Sequence, residues 1–149
     1  MPQSLSKILL HVVFSTKNRE ETIPQEYMEK LHAYLAGACR ANKCEAFRIG
    51  GTKNHVHIAC TLHRTLTIGE LMKQIKMSSS QWMKKHTGQE RFAWQAGYGA
   101  FSLGQSQLKT IIRYIDNQEE HHKTVTFQEE LLDFLKKYKI EYNENYLWD

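Results

Sequence analysis

His55 and His57 stand one residue apart in the stretch His55 to Leu62, HVHIACTL, which reads as a β-strand. Side chains alternate along a strand, so both imidazoles project from one face while Val56 and Ile58 project from the other. Two neutral imidazoles placed in this way can reach one divalent ion. The pair alone is weak, because 8 histidines in 149 residues produce about 0.4 His-x-His pairs by chance. Tyr114 and Gln118 lie four residues apart in a stretch with helical spacing, and are therefore neighbours on its surface. This second pair is also expected by chance about 0.5 times, and a flanking tyrosine commonly serves packing.

Taken together, the two pairs narrow the chemistry. A phenol with a pKa near 10 attacks poorly at neutral pH unless its target is metal-polarised or a base is close. A divalent ion on a phosphate oxygen withdraws charge from phosphorus and orients the leaving group. Attack by Tyr114 on a phosphodiester would leave a phosphotyrosine and a free 3′-hydroxyl. The bond energy would be conserved, so a second DNA end could be joined without ATP. The Gln118 carbonyl is a neutral oxygen donor suited to a hard cation, which favours magnesium or manganese. Zinc is disfavoured here because the sequence shows no third histidine or cysteine arranged for it.

The elements that must position these residues follow from periodicity. Lys7 to Ser15 (KILLHVVFS) is a near-continuous apolar run rich in β-branched residues, a central strand. Thr22-Ile-Pro-Gln25 predicts a capping box opening a helix to about Asn42, with Met28, Leu31, Leu35 and Ala38 inward. Cys44 to Ile49 reads as a strand, Gly50 to Asn54 as a turn, and His55 to Leu62 as its hairpin partner. Thr67-Ile-Gly-Glu70 opens another helix with Leu71, Ile75 and Trp82 inward, and Ala93 to Phe101 reads as a fourth strand. The order βαββαβ predicts an α+β, ferredoxin-like antiparallel sheet with helices on one face. A helix from about Ser106 to His121 follows, apolar at Leu108, Ile111, Ile112 and Ile115. A last helix starts at the box Thr126-Phe-Gln-Glu129 and ends near Lys137. The tail, Tyr138 to Asp149, has no clear pattern.

At 149 residues the chain fits one domain, 1–149, and its 41% hydrophobic and 24% charged composition is that of a soluble globular protein. No stretch reaches the roughly 20 apolar residues of a membrane span. The start, Met1-Pro2-Gln3-Ser4, lacks the pattern of a signal peptide, so a cytoplasmic location is expected. Cys39, Cys44 and Cys60 lack Cys-x-x-Cys spacing and read as buried free thiols. The net charge of +4 favours a polyanionic partner only slightly.

Several segments together resemble one family, the single-tyrosine HUH transposases of small bacterial insertion sequences, or IS200-like transposases. They are His11-Val-Val-Phe-Ser-Thr-Lys-Asn-Arg19, Asn54-His-Val-His-Ile58, Trp94-Gln-Ala-Gly-Tyr-Gly-Ala-Phe101 and Tyr114-Ile-Asp-Asn-Gln-Glu-Glu-His-His122. HUH denotes histidine, hydrophobic residue, histidine, here His55-Val56-His57. Each segment is weak, but their ordered conjunction is strong. The resemblance implies a magnesium-dependent nuclease and strand transferase on single-stranded DNA, with His55, His57 and Gln118 as metal ligands. It implies Tyr114 as the nucleophile forming a 5′-phosphotyrosine, a homodimer, and DNA hairpins at element ends as targets. In several members the tyrosine helix completes the partner's site, and Gly104 before that helix could be the hinge. A palindrome-associated, domesticated subgroup fits the same motifs.

Other residues carry weaker signals. His121-His122 reads as cations at a helix C-terminus rather than metal ligands, and His11 as a core histidine on the first strand. Arg48, Lys53, Lys73, Lys76, Lys84 and Lys85 are candidate phosphate contacts, each more commonly a solvated charge. Trp82, Trp94 and Tyr98 could stack on unpaired bases, although Trp82 reads as core. Competing functions are a replication-initiator-type nickase, a non-catalytic ferredoxin-like single-strand binding module, and a metal-dependent hydrolase. Initiators of this type often pair two tyrosines at helical spacing and carry a helicase domain, and neither is present. The binding module leaves the histidine pair unexplained, and a hydrolase would not need Tyr114.

Overall fold

The computed structural model describes residues 2–149, so Met1 lies outside the described residues. Strand β1 (Leu9–Ser15) leads through a short 3-10 turn to helix α1 (Gln25–Ala41), then β2 (Ala46–Thr52), β3 (His55–Thr61), α2 (Ile68–Thr87) and β4 (Gly99–Leu103). The sheet order is β2-β3-β1-β4 with every pair antiparallel, the ferredoxin-like arrangement expected from the pattern. Helices α3 (Leu108–Asp116), α4 (Gln118–His121) and α5 (Phe127–Lys137) follow.

Both faces of the sheet are covered, which explains why β1 reads as unbroken apolar sequence. Leu10, Val12 and Phe14 point with Val56, Ile58 and Cys60 into a core closed by α1 (Met28, Leu31, Leu35) and α2 (Leu71, Met72, Ile75). Val13 and Phe101 point the other way, into a second core with Phe127, Leu131 and Leu135 of α5. The tail, unassigned from sequence, returns to this second core through Leu147 and Trp148. Arg19 lies over the Trp148 ring, and the Asp149 carbonyl accepts from Gly97 N–H at 2.8 Å. Cys39, Cys44 and Cys60 are free and buried, as expected.

Four sequence expectations need correction. The helix of the tyrosine is not continuous, because Asn117 leaves helical geometry (φ −96°, ψ 15°) and separates α3 from α4. The hairpin turn is only Lys53-Asn54, since Gly50, Gly51 and Thr52 stay in register with His57, Val56 and His55. Gly50 signals close packing instead: a Cβ there would lie 2.7 Å from Ile115 of α3. The fourth strand begins at Gly99, not Ala93; Trp94 makes only an isolated bridge to Thr16, and the Gln95 side chain accepts from Ser15 N–H at 2.8 Å. Helix α1 is not opened by a Thr22 box; Pro24 is its N-cap and no side chain caps it. The boxes at Thr67 and Thr126 do form bonds from Glu70 and Glu129 N–H, each at 3.1 Å. No helix of the described residues is long and apolar enough to cross a membrane.

Candidate active site

β3 turns His55 and His57 to the α5 side of the sheet, and both are fully buried. His11 joins them from β1, its Nε2 2.7 Å from His57 Nδ1. His55 Nδ1 has Asn54 Oδ1 at 2.8 Å and the Thr52 hydroxyl at 3.0 Å. One partner accepts and the other can donate, so the ring can carry its proton on either nitrogen and turn a bare Nε2 inward. The short turn thus sets the orientation of the first histidine, and β1 sets that of the second.

The break at Asn117 brings Gln118 onto this face, where it is buried and its Oε1 lies 2.8 Å from His55 Nε2. Tyr114, half-buried at the end of α3, presents its ring 5.7 Å from the His57 ring. Helix α3 is held on the sheet by buried Ile115 against β2 and by an Arg48–Asp116 ion pair of 3.4 Å. All four residues singled out for chemistry therefore meet at one place.

Sequence reasoning missed Glu130. Its side chain is buried, with Oε1 2.8 Å from His57 Nε2. Its Oε2 accepts from Gln118 Nε2 at 3.1 Å and from the Tyr114 hydroxyl. His122, read from sequence as a helix-end cation, places Nε2 3.2 Å from the same Oε2, and His121 is 3.3 Å away. His55, His57, His122 and Glu130 offer ligand atoms that all lie within 4.8 Å of one another. The premise that no third histidine is arranged for a metal is thus overturned. A signal for Glu130 was available: it falls on the apolar stripe Phe127, Leu131, Phe134, Leu135 of α5, where an unpaired carboxylate would be costly.

The electrostatics suit a metal centre. Burial pushes His55 and His11 down to about 3, reinforced by neighbouring His57, so both imidazoles are neutral and able to act as donors. Burial would raise Glu130, but His122, His57 and Tyr114 around it outweigh that and hold the carboxyl below its usual range. Burial, then the bond to Glu130, pushes the Tyr114 phenol above its usual range.

The candidate nucleic-acid contacts are scattered. Lys53 is exposed on the hairpin turn and, with Lys123 and His122, lines a cleft of about 670 Å³. Arg48 is engaged by Asp116. Lys73, Lys84 and Lys85 are exposed on α2, whereas Lys76 donates to the carbonyls of Gln95, Ala96 and Gly97. Trp94 is buried, donating to Ser79 at 2.9 Å; Trp82 stacks on Tyr34; Tyr98 is exposed. Gly104 has ordinary extended backbone (φ −82°) and makes no use of glycine's freedom.

The sequence profile described as "Transposase IS200 like" matches residues 4–118. The chain belongs to this transposase family. No curated protein matches it significantly. Among solved structures, this family member is similar to a transposase from Deinococcus radiodurans R1 at 21% identity and TM-score 0.62, over 79% of this chain and 98% of that one. It is also similar to a REP-associated tyrosine transposase bound to a REP hairpin, at 15% identity and TM-score 0.61, over 84% of this chain and 74% of that one. At these identities the structures establish a shared fold. The matched profile ends at Gln118, so His122 and Glu130 come from chain beyond it.

Proposed function

We propose that residues 1–149 form one divalent-metal-dependent strand transferase that cuts and rejoins single-stranded DNA through Tyr114. The observation that carries this reading is the convergence of the Tyr114 hydroxyl and the His55–His57 pair on Glu130. His55, His57 and Gln118, with His122 and Glu130 beside them, would hold the ion. The neutral imidazoles, the carboxylate and the mutual reach of the donor atoms fit that role. When bound, the ion supplies polarisation of a phosphate oxygen.

The Tyr114 oxygen attacks phosphorus, and the P–O3′ bond breaks. The phenol, oriented by its bond to Glu130, gives its proton to solvent as the new P–O bond forms, and the departing 3′ oxygen takes up a proton from solvent to become a 3′-hydroxyl. The product is a 5′-phosphotyrosine, which a second 3′-hydroxyl reverses in joining another end. His11 and Asn54 keep the imidazoles oriented. The α5 side of the pocket keeps bulk water from the histidines, which would limit hydrolysis of the intermediate.

Tyr114 serves the site of its own chain in this reading, in cis, and each copy of a homodimer would carry a complete site. The contacts of α3 with β2 support this over exchange of the tyrosine helix. The hairpin bound to the similar tyrosine transposase supports palindromic DNA as target, and Lys53 and Lys123 border a path beside His122. The test is a labelled single strand carrying a palindrome from the gene's own neighbourhood, incubated with divalent ion and run on a denaturing gel. The reading predicts a covalent adduct that Tyr114→Phe abolishes. Cleavage that persists in Tyr114→Phe would assign hydrolysis instead, and hairpin binding without cleavage would assign a binding module.

A further inference from the structure

We infer that a groove along α2, on the sheet face opposite the histidines, is a second DNA contact surface and that it takes unpaired strand. The inference rests on the DNA reading above and adds where a strand runs beyond the site.

Helix α2 closes the first core through Leu71, Met72 and Ile75, whereas His57 faces Glu130 of α5 on the other side of the sheet. Lys73, Met77, Ser80 and Lys84 recur on α2 at helical spacing, so they share one outward stripe about 16 Å long. Segment 92–96 runs beside this stripe, and the two enclose a groove of about 340 Å³. Among the described residues, no acidic side chain lines the groove. Cations without acids suit a polyanion. An adjoining cleft shares Phe92 and Ala93 with the groove and extends it to Arg91 and Lys17, where Glu20 and Glu90 end the uninterrupted positive charge.

Lys76 builds the wall of the groove. Its ammonium donates to the carbonyls of Gln95 at 2.9 Å and Ala96 at 3.2 Å, and to that of Gly97. These bonds tie the segment to α2 and neutralise carbonyl dipoles that would repel phosphate. The same ammonium lies 5.4 Å from the centre of the Tyr98 ring. Tyr98 is 41% exposed and Met77 47%. An exposed ring and a thioether beside lysines are the parts of a base-stacking platform. A groove of this volume admits unpaired nucleotides but not a paired stem.

The groove also adjoins the proposed site. Gln95 N–H donates to the Ser15 carbonyl at 2.9 Å, and Ser15 is the register partner of His55. Two strand spacings, roughly 10 Å, therefore separate the groove wall from the first histidine. A strand passing round this end of the sheet reaches α2 without crossing either core.

The test measures binding of full-length protein by fluorescence anisotropy, in chelator so that no cleavage occurs. The probes are labelled oligothymidylate of about 15 nucleotides, within the range of single-strand sites, and a blunt hairpin without flanks. Losing two phosphate contacts in Lys73→Gln/Lys84→Gln should weaken oligothymidylate binding roughly tenfold near 0.15 M salt and lower the log–log salt slope by about 1.4. Tyr98→Ala should weaken it at least about fivefold with the slope unchanged. Hairpin binding should change little in either variant, and Tyr114→Phe should bind both probes as the wild type does. Wild-type oligothymidylate affinity in the double variant would overturn the inference. So would an equal loss on the blunt hairpin, which would assign the groove to paired stem, or failure of the wild type to bind oligothymidylate. Binding as predicted by a wild type that forms no covalent adduct would instead sink the strand-transfer reading and leave the groove in place.

Discussion

The Tyr114 hydroxyl donates to the carboxylate of Glu130, sixteen residues further along the chain. The other oxygen of that carboxylate lies 2.8 Å from His57 Nε2. One side chain of α5 thus links the proposed nucleophile to the histidine pair on β3. The link also explains the phenol's raised pKa: burial comes first, and the neighbouring carboxylate adds to it. In the proposed reaction, Tyr114 is protonated before substrate binds, and its activation would come with the phosphate and the ion.

Ion binding should raise thermal stability, since the donors are assembled only in the folded chain. At 100 times the dissociation constant the gain is about 2.7 kcal/mol. Differential scanning fluorimetry of chelator-treated protein should show a rise in Tm with manganese. His55→Ala and His57→Ala should show none. An equal rise in those variants would place the ion elsewhere.

Gly50→Ala should displace the tyrosine helix. The added Cβ would stand 2.7 Å from the Ile115 side chain and carbonyl, and the carbonyl cannot move without shifting α3. Overpacking of this kind costs about 1–3 kcal/mol, measurable by urea denaturation. Adduct formation should fall with it, because Tyr114 is the residue before Ile115. Retained stability and activity would show that α3 is not seated on β2 in solution.

Acid should destabilise the protein partly through His32. Burial pushes this imidazole down to about 4 from an ordinary value of 6.5, and its Nε2 has no partner. The unfolded chain therefore binds the proton first, so this contribution is complete above pH 6.5 and is lost as pH falls toward 4. His32→Leu should reduce the pH dependence of unfolding free energy in that window by up to one proton, about 1.4 kcal/mol per pH unit. An unchanged slope would show that His32 is solvated when folded.

Mixing two inactive variants separates cis from trans action. His57→Ala keeps the tyrosine and Tyr114→Phe keeps the histidines. The cis geometry predicts that the mixture stays inactive on a single hairpin substrate. Restored adduct would show that α3 crosses between subunits.

The sequence was most informative where one periodic signal had one cause. The β1 run, the helical spacing of α1 and α2, and the His55-Val56-His57 alternation all translate directly into sheet order and into which face carries the histidines. It was least informative where a residue type serves two purposes. Gly50 and Gly51 looked like a turn because glycine commonly makes turns, yet Gly50 admits a helix. Asn117 gave no breaker signal strong enough to end the helix, and that break is what buries Gln118. Glu130 reaches the site through the packing of α5 on the second core, and His122 through the end of α4 just past the break at Asn117, contacts between distant segments that no local spacing records.

The central claim, that DNA is joined to this chain through Tyr114, is tested most directly by digesting the protein–DNA adduct and mapping it by mass spectrometry. The account predicts a deoxynucleotide 5′-phosphate on the peptide containing Tyr114, with an equal yield of released strand ending in a 3′-hydroxyl. Cleaved DNA with unmodified protein, or a nucleotide on any other residue, would contradict it.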